Sequence, residues 1–202
     1  MNKKAIRTII IMIIMAALIL SCYLYLSRRN REAGSPEKME EKIVSEMTAV
    51  QKLIAQAPYM DYPATPVQLL KYYNELTRCF YNESFSDEEI EKLAKIARGL
   101  YDDELVAQQS DEDYLAALKN DIVNMHKINF KLYTSDVSPS TDVEYFEHDG
   151  RECARLYCTY EEQSGGLFQT AREVFILRKD DEGHWKIFGF KLVKGDEDNG
   201  GS

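Results

Sequence analysis

Residues 151–193 read RECARLYCTYEEQSGGLFQTAREVFILRKDDEGHWKIFGFKLV, and alternating apolar and polar residues between turn signals divide them into three strands. Ser164-Gly165-Gly166 separates a strand at 151–162 from one at 167–179, and Asp180-Asp181-Glu182-Gly183 separates that one from a strand at 184–193. Just upstream, Asp149-Gly150 is a strong two-residue hairpin signal and joins 142–147 to the strand at 151–162. A first strand lies near 129–135. Neighbouring strands joined by such short turns run antiparallel, and strands of about twelve residues twist enough to curl.

Before these strands the periodicity is helical. Thr65 and Gln68 form a capping box around Pro66 and start a helix that runs to about 82. Leu69, Tyr73, Leu76 and Phe80 make one stripe, and Leu70, Tyr72 and Cys79 extend it round most of the circumference, so this helix is expected to be central. Ser86 and Glu89 cap a second helix over 86–99, with one clean face of Ile90, Leu93, Ala94, Ala97 and Tyr101. Ser110 opens a third, whose stripe Leu115, Leu118, Ile122 and Met125 fades near Phe130. Three helices followed by antiparallel strands define an α+β domain over 65–193, with the helices on one face of a curved sheet. A pocket can form in the gap between them.

The N-terminal third is of another kind. Residues 9–26 carry no charge and span about 27 Å as a helix, just enough for a hydrocarbon core of about 30 Å. Lys3, Lys4 and Arg7 precede the run, Tyr23 and Tyr25 sit at its far end, and Arg28, Arg29 and Arg31 stop it. The run reads as a transmembrane signal anchor with a basic cytoplasmic tail at 1–8 and the large domain outside. Ile19-Leu20-Ser21-Cys22 also resembles a lipobox, which would make Cys22 a lipidated N-terminus, although apolar residues continue past it. Residues 27–64 read as a juxtamembrane linker and helical stalk: Ser35-Pro36 caps a helix whose stripe is Ile43, Met47, Val50 and Ile54, narrow enough for weak self-pairing. The last nine residues, 194–202, have no apolar content and read as a disordered acidic tail.

Charge limits the partners. Residues 1–31 hold six Lys/Arg and no Asp/Glu, which leaves 19 basic against 34 acidic side chains, a net −15, in the remainder. A body that acidic repels phosphate backbones and is no nucleic-acid reader. Cys153 and Cys158, five apart on one strand, point to opposite faces and cannot bridge each other. The acidic runs 102–104, 111–113 and 180–182 fall at helix starts and turns, where capping accounts for them, and none follows a calcium-loop spacing. The three histidines pair with no nucleophile, so no catalytic residue, metal or cofactor is assigned.

The order of capped helices, long hairpin strands and the closing phrase DDEGHWKIFGFKLV resembles the cone-shaped nuclear transport factor 2-like fold. Together with the basic tail, the apolar segment and the stretch YPATPVQLLKYYNELTRCFYNESFSDEEIEKLAKIARGLYDDELV, residues 3–194 resemble an uncharacterised bacterial family of single-pass membrane proteins carrying that domain. The resemblance implies a fold and an anchor, and no reaction, because the wider fold hosts isomerases, dehydratases, transport factors and accessory modules.

Thirteen tyrosines supply apolar bodies with polar tips. Tyr73 on the first domain helix, Tyr157 or Tyr160 on a long strand, and Phe188 or Phe190 on the last are expected to meet beneath the sheet, with Asp121 as a nearby carboxylate. Candidate pocket residues are therefore Tyr73, Asp121, Tyr157, Tyr160 and Phe188. The expected function is a membrane-tethered extracytoplasmic domain that binds a small ligand or a protein without catalysis. Its rival is a small isomerase- or hydro-lyase-type enzyme that moves a proton between Tyr73 and a carboxyl group such as Asp121.

Overall fold

In the computed structural model, which describes residues 47–193, helices come first and strands follow. The apolar run 9–26, the first part of the stalk and the tail 194–202 lie outside the described residues. The helices are α1 (Ala49–Gln56), α2 (Pro66–Asn82), α3 (Asp87–Arg98), the single turn α4 (Asp103–Val106) and α5 (Asp111–Lys127). The strands are β1 (Lys131–Val137), β2 (Glu144–His148), β3 (Arg151–Ser164), β4 (Leu167–Lys179) and β5 (Trp185–Leu192). No described helix is long and apolar enough to cross a membrane.

The caps act as the sequence indicates. Thr65, Ser86 and Ser110 each accept a hydrogen bond from the backbone N–H three residues on, and Glu89 returns the bond to Ser86. Asp149 and Gly150 both take positive φ, 51° and 74°, the geometry of a tight hairpin between β2 and β3. The sheet is open and antiparallel in the order β1-β3-β4-β5, and β2 shares with β1 the same edge of β3. A β-bulge between Ile176 and Leu177 of β4 sets Leu177 opposite Ile187 and Ile176 opposite Gly189, leaving Phe188 as the extra residue of β5.

Helix α2 carries both halves of the core. Leu69 and Leu70 pack against Leu156, Phe175, Leu177, Trp185 and Ile187 of the sheet. Leu76, Cys79 and Phe80 pack against Val50 and Leu53 of α1, Ile90, Leu93 and Ala97 of α3, and Ile122 of α5. The nearly all-round apolar pattern of α2 thus has a direct cause: sheet on one side, helices on the other. The core shared between α2 and the closing strand is formed by Trp185 and Ile187, whereas Phe80 turns to the helices.

Two expectations need revision. Val50 and Leu53 are buried in the helical half of the core, so 49–56, read as stalk, belongs to the compact unit that begins at Thr48. The helical layer accordingly holds α1 and the turn α4 besides the three helices read from the pattern.

Phe80 is 5% exposed. Phe80→Ala is expected to cost about 3–5 kcal/mol, a large part of the roughly 5–15 that a domain possesses, while Lys71→Ala on the exposed edge of α2 should cost under about 0.5 kcal/mol. Thermal melts of a chain beginning at Ser35 make the comparison. Equal, small losses would place α2 on the surface.

Candidate functional site

Side chains on one face of a helix recur every three or four residues, and two such rows face each other here. Tyr73, Thr77 and Tyr81 of α2 line one wall of a cleft of about 290 Å³, and Tyr114, Ala117, Leu118 and Asp121 of α5 line the other. Tyr101, between α3 and α4, closes one end. Among the described residues, no Lys, Arg or His lines it.

The phenols are linked. The hydroxyls of Tyr73 and Tyr101 lie 3.3 Å apart, the Tyr101 and Tyr114 rings meet edge to face at 6.1 Å, and the Tyr81 hydroxyl donates to Asp121 Oδ2 at 2.7 Å. Burial pushes the hydroxyl pKa values of Tyr73, Tyr81, Tyr101 and Tyr114 above the ordinary phenol value, so all four remain protonated donors at neutral pH. Arg98 stands over the Tyr114 ring at 4.9 Å and forms an ion pair with Asp111 at 2.6 Å, fixing the start of α5 against the end of α3.

Below the cleft a buried polar group ties α2 to β3. Asn74 donates from Nδ2 to Cys158 Sγ at 3.2 Å and accepts at Oδ1 from the Tyr160 hydroxyl at 3.0 Å. Burial raises the Cys158 thiol pKa, and a thiol that stays protonated is a structural partner, not a nucleophile. Glu173 on β4 is half-buried nearby. Burial pushes its carboxyl above the usual range, the Tyr160 hydroxyl pulls the other way, and the charge of Glu162 adds to the rise.

Tyr101 reaches the cleft because its neighbour is clamped. Asp102 and Arg178 are 2% and 3% exposed in their side chains, and the guanidinium donates to the carboxylate through Nε at 3.0 Å and through Nη2 at 2.5 Å. The same Nη2 donates to Glu104 at 2.8 Å, and the guanidinium lies over the Phe188 ring at 4.2 Å. The backbone joins in: Ile187 N–H donates to Leu100 O at 2.8 Å and Asp102 N–H to Ile187 O at 2.9 Å, a short parallel pairing with β5.

Of the five residues expected in a pocket, Tyr73 and Asp121 line the cleft and Tyr160 lies in the core beneath it. Tyr157 and Phe188 do not join them. Tyr157 is three positions from Tyr160 on one strand and so faces the other side, and the bulge turns Phe188 outward. Both line a separate groove on the outer sheet face with Arg155, Val174 and Ile176. Phe190 borders that groove too and is 46% exposed, but its ring stacks on Phe175 at 5.4 Å and lies 6.4 Å from Tyr73.

Sequence reasoning missed Tyr81, Tyr101, Tyr114, Asn74 and Glu173. Tyr81 and Thr77 continue the α2 row from Tyr73 at helical spacing and were legible; Tyr101 was counted into the α3 stripe, and nothing local marks Glu173. Asn82, at the end of α2, is engaged with strand backbone, donating to Leu132 O at 2.7 Å and accepting from Leu132 N–H at 2.9 Å. At the β4–β5 turn, ligand atoms of Asp180, Glu182 and His184 lie within 4.8 Å of one another. Asp180 Oδ1 there accepts the backbone N–H groups of Glu182 and His184, so it is the turn that gathers them.

Fold and site define a class: a helical layer on one face of an open antiparallel sheet, with a phenol-lined cleft within the helical side. The chain belongs to the family described as a domain of unknown function (DUF6715), which matches residues 1–190. No curated protein matches the chain.

Because folding raises the Glu173 pKa, the folded state holds that proton more tightly than the unfolded chain does. Its contribution to stability is full below the unfolded carboxyl pKa, about 4.3, and is lost as pH rises through the folded value. Glu173→Gln, neutral at every pH, should therefore melt higher than the wild type at neutral pH, with the gap closing on acidification. A lower melting temperature at neutral pH would contradict the assignment.

Proposed function

We propose that this protein is a membrane-tethered extracytoplasmic binding domain with a cone-shaped nuclear transport factor 2-like fold, and that its tyrosine cleft takes a small neutral or cationic molecule. The convergence of four phenols and Asp121 on one opening carries the reading. Phenolic hydroxyls donate to carbonyl or hydroxyl oxygens, Asp121 accepts from an amine or hydroxyl, and a lining that holds a carboxylate and, among the described residues, no basic side chain disfavours an anion. The open order of the sheet, with helices on one face, supports the fold assignment. The uncharged run 9–26 with its basic flanks supports the tether.

The enzymatic reading has one observation in its favour, the raised carboxyl of Glu173 close to Tyr160. It is the weaker reading because proton acceptor and open space do not coincide. Glu173, the group whose carboxyl is raised, is not among the cleft-lining residues.

The test has two arms. Full-length protein extracted from its native membrane should carry a small molecule detectable by mass spectrometry, and Ala117→Trp, which fills the cleft, should remove it without loss of fold. Protease added to intact protoplasts should destroy epitopes within 65–193. An unaltered bound compound in Ala117→Trp would sink the cleft, and a protected epitope would reverse the orientation.

A further inference from the structure

At the end of the sheet where β3 turns into β4, four large apolar side chains stand in solvent. Leu167 and Phe168 are 75% and 71% exposed, and Tyr133 and Ile128 are 49% and 45% exposed. They gather at this end: the Tyr133 and Phe168 rings are 5.4 Å apart, Gly165 N–H donates to Ile128 O at 2.8 Å, and Leu167, beside Phe168 at the start of β4, points to the other face of the hairpin. Tyr133 is outside because a bulge between Leu132 and Thr134 adds a residue to β1 while Leu132 stays in the core. Turn chemistry favours polar residues at a hairpin tip, yet Gly165 and Gly166, at positive φ of 57° and 87°, lead straight into Leu-Phe. Exposed apolar side chains gathered at one tip mark a contact surface.

The path of the chain shows what lies opposite it. The described unit starts at Thr48, and Gln51 donates to Glu89 at the N-terminus of α3, directly after the C-terminal end of α2. Asn82 at that end of α2 bonds Leu132, and Lys131 pairs with Gln163 beside the tip. Thr48 and the β3–β4 tip therefore lie at the same end of the domain, while Tyr62, bonded to Trp185 O at 2.8 Å, lies at the other. Upstream of Thr48 come the uncharged run 9–26 and a linker, 27–47, that reaches about 70 Å at most. The patch also has the chemistry of a bilayer interface, since it holds two aromatic rings, and its Ile128 lies between Lys127 and Lys131 in the chain.

We propose that this end of the domain seats on the surface of the membrane that holds the anchor, with Leu167 and Phe168 entering the headgroup and acyl boundary. The proposal rests on the tether of the functional reading and not on its cleft.

Full-length protein is reconstituted into phosphatidylcholine vesicles with and without nitroxide-labelled acyl chains, and the emission of Phe168→Trp is compared with that of Tyr59→Trp. Tyr59 is 89% exposed and lies near Tyr62, at the opposite end, and the wild type with its buried Trp185 is the blank. Trp emission from position 168 is expected to shift blue and to lose most of its intensity to the nitroxide, and that from position 59 to do neither. Unquenched, water-like emission at position 168 would overturn the proposal. A blue shift that the nitroxide leaves intact, and that grows with protein concentration in detergent, would overturn it in favour of a second copy on this face. Loss of the chain from the vesicles in an alkaline wash is a separate result, and it would sink the tether itself.

Discussion

A buried ion pair between residues 76 apart, Asp102 and Arg178, is the constraint on which the cleft depends. Taking two charges out of water is expensive, and the expense is offset only when geometry and further hydrogen bonds are good. Here they are. The guanidinium meets the carboxylate through two nitrogens, reaches Glu104 with one of them, and stacks on Phe188, while Asp102 also caps α4 by accepting from Glu104 N–H at 3.0 Å. Among the described residues only Asn74, Asp102 and Arg178 are buried polar or charged side chains, so each member of the pair depends on the other.

The rest of the site follows by connection. Successive residues of an extended segment point to opposite sides, so fixing Asp102 on Arg178 sends Tyr101 inward to Tyr73. The same segment ends at α4, whose Val106 carbonyl accepts from Arg98 at 3.1 Å, and Arg98 in turn holds Asp111 and the Tyr114 ring. Tyr101 and Tyr114 are thereby placed relative to β4 and β5, while Tyr73 stands on α2. Tyr81 is placed independently, by its bond to Asp121 and an edge-to-face contact with Phe130 at 5.2 Å. A site assembled from a strand-like loop, two helices and a distant arginine is rigid where the phenols meet, and that rigidity spares a ligand the cost of ordering them.

What the sequence revealed was what local chemistry writes. Caps at Thr65, Ser86 and Ser110, the Asp-Gly hairpin and the alternation along 151–193 located the three long helices and all five strands, because each signal acts within a few residues. The all-round apolar surface of α2 announced its central place. Bulges were not legible. One unpaired residue in β5 decided that Phe190 and not Phe188 faces Tyr73, and nothing in the alternation marks where pairing slips. Asp102 looked like one more capping aspartate in an acidic run. Its partner lies on another element, and no periodicity connects a loop carboxylate to a strand arginine.

A double-mutant cycle at this pair tests the account most directly. Asp102→Ala and Arg178→Ala should each lose about 3–5 kcal/mol, because each strands a buried charge, and the double variant should lose little more than either alone, a coupling of roughly 2 kcal/mol or more. Denaturant unfolding of the four chains measures it. Single losses below about 1 kcal/mol that simply add in the double variant would mean that the ion pair does not hold Tyr101 in place, and the cleft would need another explanation.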